Sequence, residues 1–205
     1  MADCNGPECQ WNLTTAPALE PFTVEEAKAQ IRSVQNQEDG LVQSYIKAAR
    51  QAAEDYLSRG LLTQTWTLAL SDFTPIIPLP MAAPLASVTS VKYYDVDGVQ
   101  QTLATTYYDV DTRSRPGRIT LKDGQSWPSI QSGRRSNRIE IAYVVGYTSR
   151  DLIPEAIRQG MRIYIGYMDA DRNGLEPDGK RALEVAKLFW MDRVFYTPPV
   201  YEAYY

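Results

Sequence analysis

The chain has 205 residues, a hydrophobic share of 44% and a formal net charge of −4, enough for one domain of ordinary size with extensions, burying roughly 70% of its unfolded surface. It contains no histidine, which excludes Ser-His-Asp and Cys-His catalysis and every His-containing metal site; Cys4 and Cys9 alone cannot fill a tetrahedral zinc shell, and although their spacing could close a small loop, free thiols in a loosely held leader are expected. No apolar run long enough to span a membrane and no signal-peptide pattern occur, so a soluble protein made in a cytoplasm is expected.

Residues 1–20 are rich in small and turn-forming types without a period and read as an extended N-terminal arm that Trp11 and Leu13 could dock. Thr23-Val24-Glu25-Glu26 fits a capping box, opening a short helix to about Ser33 with Val24, Ala27 and Ile31 inward. The organising stretch follows. From Asp39, the residues Leu41, Val42, Tyr45, Ile46, Ala49, Ala52, Ala53, Tyr56 and Leu57 recur at three- and four-residue spacing and form one helical face. Gln43, Lys47, Arg50, Gln51, Glu54, Asp55 and Ser58 take the other face, and Gly60 supplies the left-handed stop. In Thr65–Leu70 the period drops to two, giving a strand whose buried face the helix is expected to cover.

Thr74–Pro80 holds three prolines and fits an edge strand or extended loop. Val88–Val96 reads as a strand leading into an Asp97-Gly98 two-residue turn, with Val96 facing Val99 and Tyr94 facing Gln101. Tyr107–Val110 and Arg118–Leu121 are short strands joined by Arg115-Pro116-Gly117, and Arg138–Val145 carries Ile139, Ile141, Tyr143 and Val145 on one face. Pro154 opens a further helix with Ile157, Met161, Tyr164, Ile165 and Met168 inward. Gly160 and Gly166 lie inside it, each costing about 1 kcal/mol against alanine, and point to close helix approach. Lys180 to about Phe195 is a last helix, which Pro198 and Pro199 end. The class is α+β: long amphipathic helices with a small antiparallel sheet or barrel of five or six strands, and a C-terminal helical and aromatic extension. The expected divisions are an arm over 1–20, a main domain over 21–168 and an extension over 169–205.

The order of short motifs carries a resemblance. Leu41-Val42, Ala48-Ala49-Arg50, Glu54–Arg59 and Leu62–Trp66 are followed by Pro84–Val91, Tyr93–Gly98, Tyr108–Asp111, Pro116–Ile119, Ser126-Trp127-Pro128 and Tyr143–Tyr147. This order resembles the head-to-tail connector (adaptor) family of long-tailed bacteriophages from about Phe22 to Met168. The resemblance implies a structural virion protein, not an enzyme, without cofactor or metal. It implies a homo-oligomeric ring, typically dodecameric, beneath the portal protein of the filled head, in the neck between head and tail. Such a ring extends the channel through which DNA passes and offers the surface on which the tail or a stopper protein docks. Particles of this kind are assembled in the host cytoplasm. The alternatives are a stopper or tail-terminator neck protein, which usually lacks the leading long helix, and a DNA-packaging factor. The family usually ends in a short helix near Met168, so the role of the extension is not carried over.

Four sets of residues are candidates for function. Phe189, Trp190, Met191, Val194, Phe195 and Tyr196 crowd more than one helical face, and Tyr201, Tyr204 and Tyr205 follow, a composition suited to a partner interface with the portal or a neighbouring subunit. Arg113, Arg115, Arg118, Arg134 and Arg135 lie in a segment of net +6 within an acidic chain and could meet an acidic neighbour or passing DNA. Asp169–Gly174 matches half of a calcium loop, but Lys180 stands where the bidentate glutamate belongs, so an inter-helix turn is expected. Asp95, Asp97, Asp109 and Asp111 could gather a metal for hydrolysis, but fall at turns and strand ends where aspartate serves local hydrogen bonds.

Overall fold

A computed structural model describes residues 9–31, 39–132, 137–170 and 179–191, without the side chains of Cys9 and residues 179–181. The described residues form two compact units, one of residues 18–31, 39–62, 147–170 and 179–191, the other of residues 9–17, 63–132 and 137–146.

In the first unit, the Thr23 amide donates to Glu26 Oε2 (2.8 Å) and the Glu26 amide to Thr23 Oγ1 (3.1 Å). This reciprocal capping box opens α1 (Val24–Ile31) as its sequence dictates. α2 (Asp39–Leu57) buries Val42, Ile46, Ala49, Ala53 and Leu57. These join Phe22, Leu61, Ile157, Met161, Ile165 and Trp190 in one core, built where α1, α2, α3 (Glu155–Ala170) and α4 (Gly179–Trp190) meet. Pro154 stands just before α3 and its carbonyl accepts the Ile157 and Arg158 amides.

Two residues that the helical period places on the outer face of α2 are corrected. Arg50 and Glu54 are each only 5% exposed. The Arg50 guanidinium donates to Glu54 Oε2 (2.6 Å) and Glu20 Oε2 (2.9 Å), and the Leu61 amide donates to Glu54 Oε1 (2.9 Å). Burial works against the charged form of Arg50, but Glu54 and Glu20 outweigh it and its pKa is raised. The chain turns back after α2, so Leu61 and Glu20 cover polar groups that the helical period alone would leave in water. The helix stop is corrected as well. Ser58, not Gly60, holds the left-handed conformation (φ 50°). The Arg59 amide reaches the Glu54 carbonyl and the Ser58 amide the Asp55 carbonyl, the paired bonds of a Schellman motif.

The second unit holds two antiparallel sheets. The larger has the order β1-β2-β8-β4-β5, from β1 (Cys9–Thr15), β2 (Gln64–Leu70), β8 (Ile139–Val145), β4 (Leu85–Tyr94) and β5 (Gln100–Thr102). The smaller has the order β3-β7-β6, from β3 (Ile76–Pro78), β7 (Arg118–Leu121) and β6 (Tyr108–Asp111). The proline-rich β3 takes an edge, where a missing N–H is tolerated. Ile139, Ile141, Tyr143 and Val145 are buried along β8, as the alternation predicts.

Leu68 of β2 lies in a core with Ile77, Leu79, Val91, Ile119 and Ile141. Its face is filled by strands of its own unit and not by α2, a correction to the expected packing. Residues 9–15 of the expected arm form β1, paired along β2, with Trp11 half-buried against the sheet core.

The β4–β5 register also differs from expectation. Tyr94 pairs with Gln100 and Tyr93 with Gln101. The Gly98 amide bonds to the Asp95 carbonyl, the Asp95 amide to the Val99 carbonyl, and Gly98 has φ 79°. This is a three-residue loop, a type I turn closed by a left-handed glycine. Asp95 selects it by accepting the Asp97 and Val99 amides on Oδ1 and the Gln101 side chain on Oδ2.

Candidate interaction surfaces

The C-terminal helix shows two faces. Ala186 and Trp190 are fully buried and Leu183 packs on the same core. The Trp190 indole donates to the Ile157 carbonyl at 3.1 Å and its ring lies 5.7 Å from that of Tyr56. Close approach at Gly160 makes this possible, since a Cβ there would meet the indole and the Ala186 carbonyl. Among the described residues, Gly166 has nothing nearer than Gln30 at 3.9 Å, so the expected close approach is corrected at that position. Trp190 is therefore an anchor within its own unit and not a surface group. Phe189 and Met191 are exposed, and with Val185 and Leu188 they make an apolar outer stripe, in which Leu188 is 65% and Met191 56% exposed. Val185 and Leu188 do not stand out in the sequence because the crowding of apolar types hides which face is inward. Val194, Phe195, Tyr196, Tyr201, Tyr204 and Tyr205 lie outside the described residues.

The arginines divide. Arg113 and Arg115 are exposed in the turn between β6 and β7. Arg118 faces Asp111 across the hairpin (3.1 Å). Asp111 also accepts the Arg113 and Ser114 amides (both 3.0 Å) and the Ser114 hydroxyl (2.5 Å). The Ser114 bonds, then those from Arg113 and Arg118, lower the Asp111 pKa to about 2. The base of the turn is pinned to the segment before β4. The Gly117 amide donates to the Ala82 carbonyl (2.7 Å), the Gly117 carbonyl accepts the Leu79 amide (2.9 Å), and a Cβ at Gly117 would meet Leu85 at 2.5 Å. Arg134 and Arg135 lie outside the described residues.

Asp95 sits at the β4–β5 tip, and hydrogen bonds led by the Gln101 side chain, then the Val99 and Asp97 amides, hold its carboxyl below the usual range. Asp109 and Asp111 belong to β6, with Asp109 paired to Lys122 at 3.6 Å. Among the described residues, no three acidic or cysteine side chains gather in a metal-binding group. Most of the half calcium loop, residues 171–174, lies outside the described residues. The β4–β5 tip is a surface that sequence reasoning misses: Val96 (63% exposed) and Val99 (55% exposed) flank Asp97 there. Apolar residues beside a turn read as a cross-strand pair, which the observed loop prevents.

No curated protein matches the chain. Solved structures share its fold. A chain in the "Neck of empty GTA particle computed with C6 symmetry" matches with a TM-score of 0.72 at 24% identity, covering 92% of this chain and 97% of that one. A chain in the "Virion of native gene transfer agent (GTA) particle" matches with 0.72 at 23% identity, over 94% and 98%. A third, in the "Neck of native GTA particle computed with C12 symmetry", gives 0.66 at 24%, over 92% and 97%. Such coverage exceeds what residues 1–168 amount to, so part of the C-terminal extension has counterparts in those chains. The model of the phage gp6-like head-tail connector protein family matches residues 22–102, from Phe22 through β5. Over that segment the chain carries the sequence pattern of the phage gp6-like head-tail connector family, the family its order of motifs resembles.

Proposed function

We propose that the chain is a structural subunit of the neck of a phage-like particle, standing between head and tail as a ring of identical copies. The match of residues 22–102 to the head-tail connector family carries this reading, and the likeness to neck chains over nearly their whole length supports it. The work of such a ring is mechanical. Subunit contacts close it, its channel conducts DNA, and its two ends offer different surfaces to the portal and to the tail-side protein. The ring is taken to be dodecameric. The exposed stripe of Val185, Leu188, Phe189 and Met191 is a candidate for the portal or neighbour contact, since apolar groups in water gain most from a partner.

Electron microscopy of the purified protein mixed with the portal protein of the same genome tests the reading. A new ring of density on one end of the portal is the expected outcome. Absence of that density, with the protein bound to tail tubes instead, would replace the connector by a stopper or terminator.

A further inference from the structure

We infer that the β4–β5 tip of one copy docks on the β6–β7 turn of the next, making the head-to-tail contact between subunits; this rests on the ring reading above. A closed ring of identical copies needs two different, mutually complementary surfaces on each subunit. The sheet unit carries such a pair at opposite ends of one strand. The tip follows Tyr94, the last residue of β4, whereas the turn is pinned through Gly117 against Leu85, the first. Ten residues of strand set them about 30 Å apart, so they do not satisfy each other within one copy.

Their chemistries match. The tip projects Asp97 between Val96 and Val99, and the acid beside it, Asp95, is spent on the loop's own amides and on Gln101. The turn projects Arg113 and Arg115, with Val110 exposed and Pro116 half-buried beside them. Its one acid, Asp111, is engaged by Ser114, Arg113 and Arg118, leaving the segment from Asp111 to Arg118 at net +2. Each loop is held by its own aspartate before any partner arrives, so little ordering is required on contact. Arg138 lies near the tip end, its carbonyl accepting the Tyr94 amide, and Arg134 and Arg135 precede it in sequence. The contact therefore rests on the projecting tip and not on the net charge of that end. Opposite charges set register and discriminate against wrong pairings, while the flanking apolar groups add area.

The test uses full-length protein and the assembly assay above, with sedimentation to follow ring formation. Asp97→Lys and the double variant Arg113→Glu/Arg115→Glu are each expected to raise the concentration needed for rings on the order of tenfold or more, because like charges then meet. An equimolar mixture of the two variants is expected to restore rings, since every interface in an alternating ring again pairs opposite charges. Restoration by mixing also excludes misfolding as the cause of each single defect. If both variants form rings as the wild type does, or if the mixture fails where each alone fails, the inference falls while the ring reading stands. Asp97→Lys rings that assemble normally but no longer hold tails would assign the tip to the tail-side protein and overturn it. Normal Arg113→Glu/Arg115→Glu rings that lose retention of duplex DNA would assign the turn to DNA and overturn it equally. Failure of the wild type to form a ring, with or without portal, would instead remove the reading on which the inference rests.

Discussion

The Trp190 indole occupies the space where a Cβ on Gly160 would stand, and its N–H bonds to the carbonyl of Ile157 on the same helix. One glycine thus sets how closely α4 can approach α3, and α4 is part of the helical core.

Gly160→Ala and Gly166→Ala are therefore expected to act with opposite sign, though both lie inside α3. Glycine to alanine in a helix interior gains about 1 kcal/mol from propensity alone. At Gly166, where the nearest group is Gln30 at 3.9 Å, that gain is expected almost in full. At Gly160 the new methyl displaces the indole, and overpacking of this kind costs about 1–3 kcal/mol, enough to reverse the sign. Urea denaturation of both variants measures it. Equal gains at the two positions would refute the packing of α4 on α3.

Features encoded by near neighbours in the chain are legible from sequence. The Thr23–Glu26 capping box and the alternation of Ile139, Ile141, Tyr143 and Val145 each follow from a few adjacent residues, whereas Gly160 and Gly166 look alike in sequence and only the first meets Trp190. What depends on distant chain is not. Arg50 and Glu54 have the spacing of a wet face and become buried only because Glu20 and the Leu61 amide arrive from outside the helix. An Asp-Gly pair fits hairpins of two or three loop residues, and the Asp95 carboxylate makes the choice. β1 has no readable period because, among its described side chains, Trp11 alone is packed on the core. Of the candidate surfaces, the arginine turn is visible as a charge excess, whereas the exposure of Val96, Val99 and Leu188 requires the fold.

The Arg50–Glu54 pair yields a second prediction. Removing one member of a buried ion pair leaves the other charge without compensation, at a cost of about 3–5 kcal/mol. Glu54→Ala also frees the Leu61 amide at the exit of α2. Because Arg50 keeps Glu20 as a partner, the loss expected for Glu54→Ala lies at the low end of that range, with Arg50→Met/Glu54→Leu losing less because both buried charges go together, although the Leu61 amide is freed in each. A double-mutant cycle in chemical denaturation separates the two cases. Additive losses would show that the pair is not coupled.

Ser58→Gly is expected to stabilise the protein. Ser58 holds φ 50° at the end of α2, a conformation that costs an L-residue with a side chain about 1–2 kcal/mol. Glycine adopts it freely but loses more backbone entropy on folding. The net gain expected is roughly 0.5–1 kcal/mol, since Schellman stops favour glycine at this position. A rise in the thermal midpoint checks it, and a fall would mean that the Ser58 side chain makes a contact that glycine loses.

Asp111 gives the pH-dependent prediction. Its folded-state pKa is about 2 against an ordinary 3.8, so ionisation is favoured by folding. A depressed carboxylate contributes its stabilisation fully above the unfolded value and loses it as pH falls through the folded one. The arginine turn is therefore expected to keep its shape from neutral pH down to about 4 and to loosen only on approach to pH 2. The carboxyl carbon resonance of Asp111 should titrate with a midpoint near 2. Asp111→Ala should speed hydrogen exchange at the Arg113 and Ser114 amides by on the order of tenfold at neutral pH, because both bond to that carboxylate. A midpoint near 3.8 together with unchanged exchange would mean that the turn is held by its attachment at Gly117 alone. The guanidinium groups of Arg113 and Arg115 would then keep their placement without the aspartate.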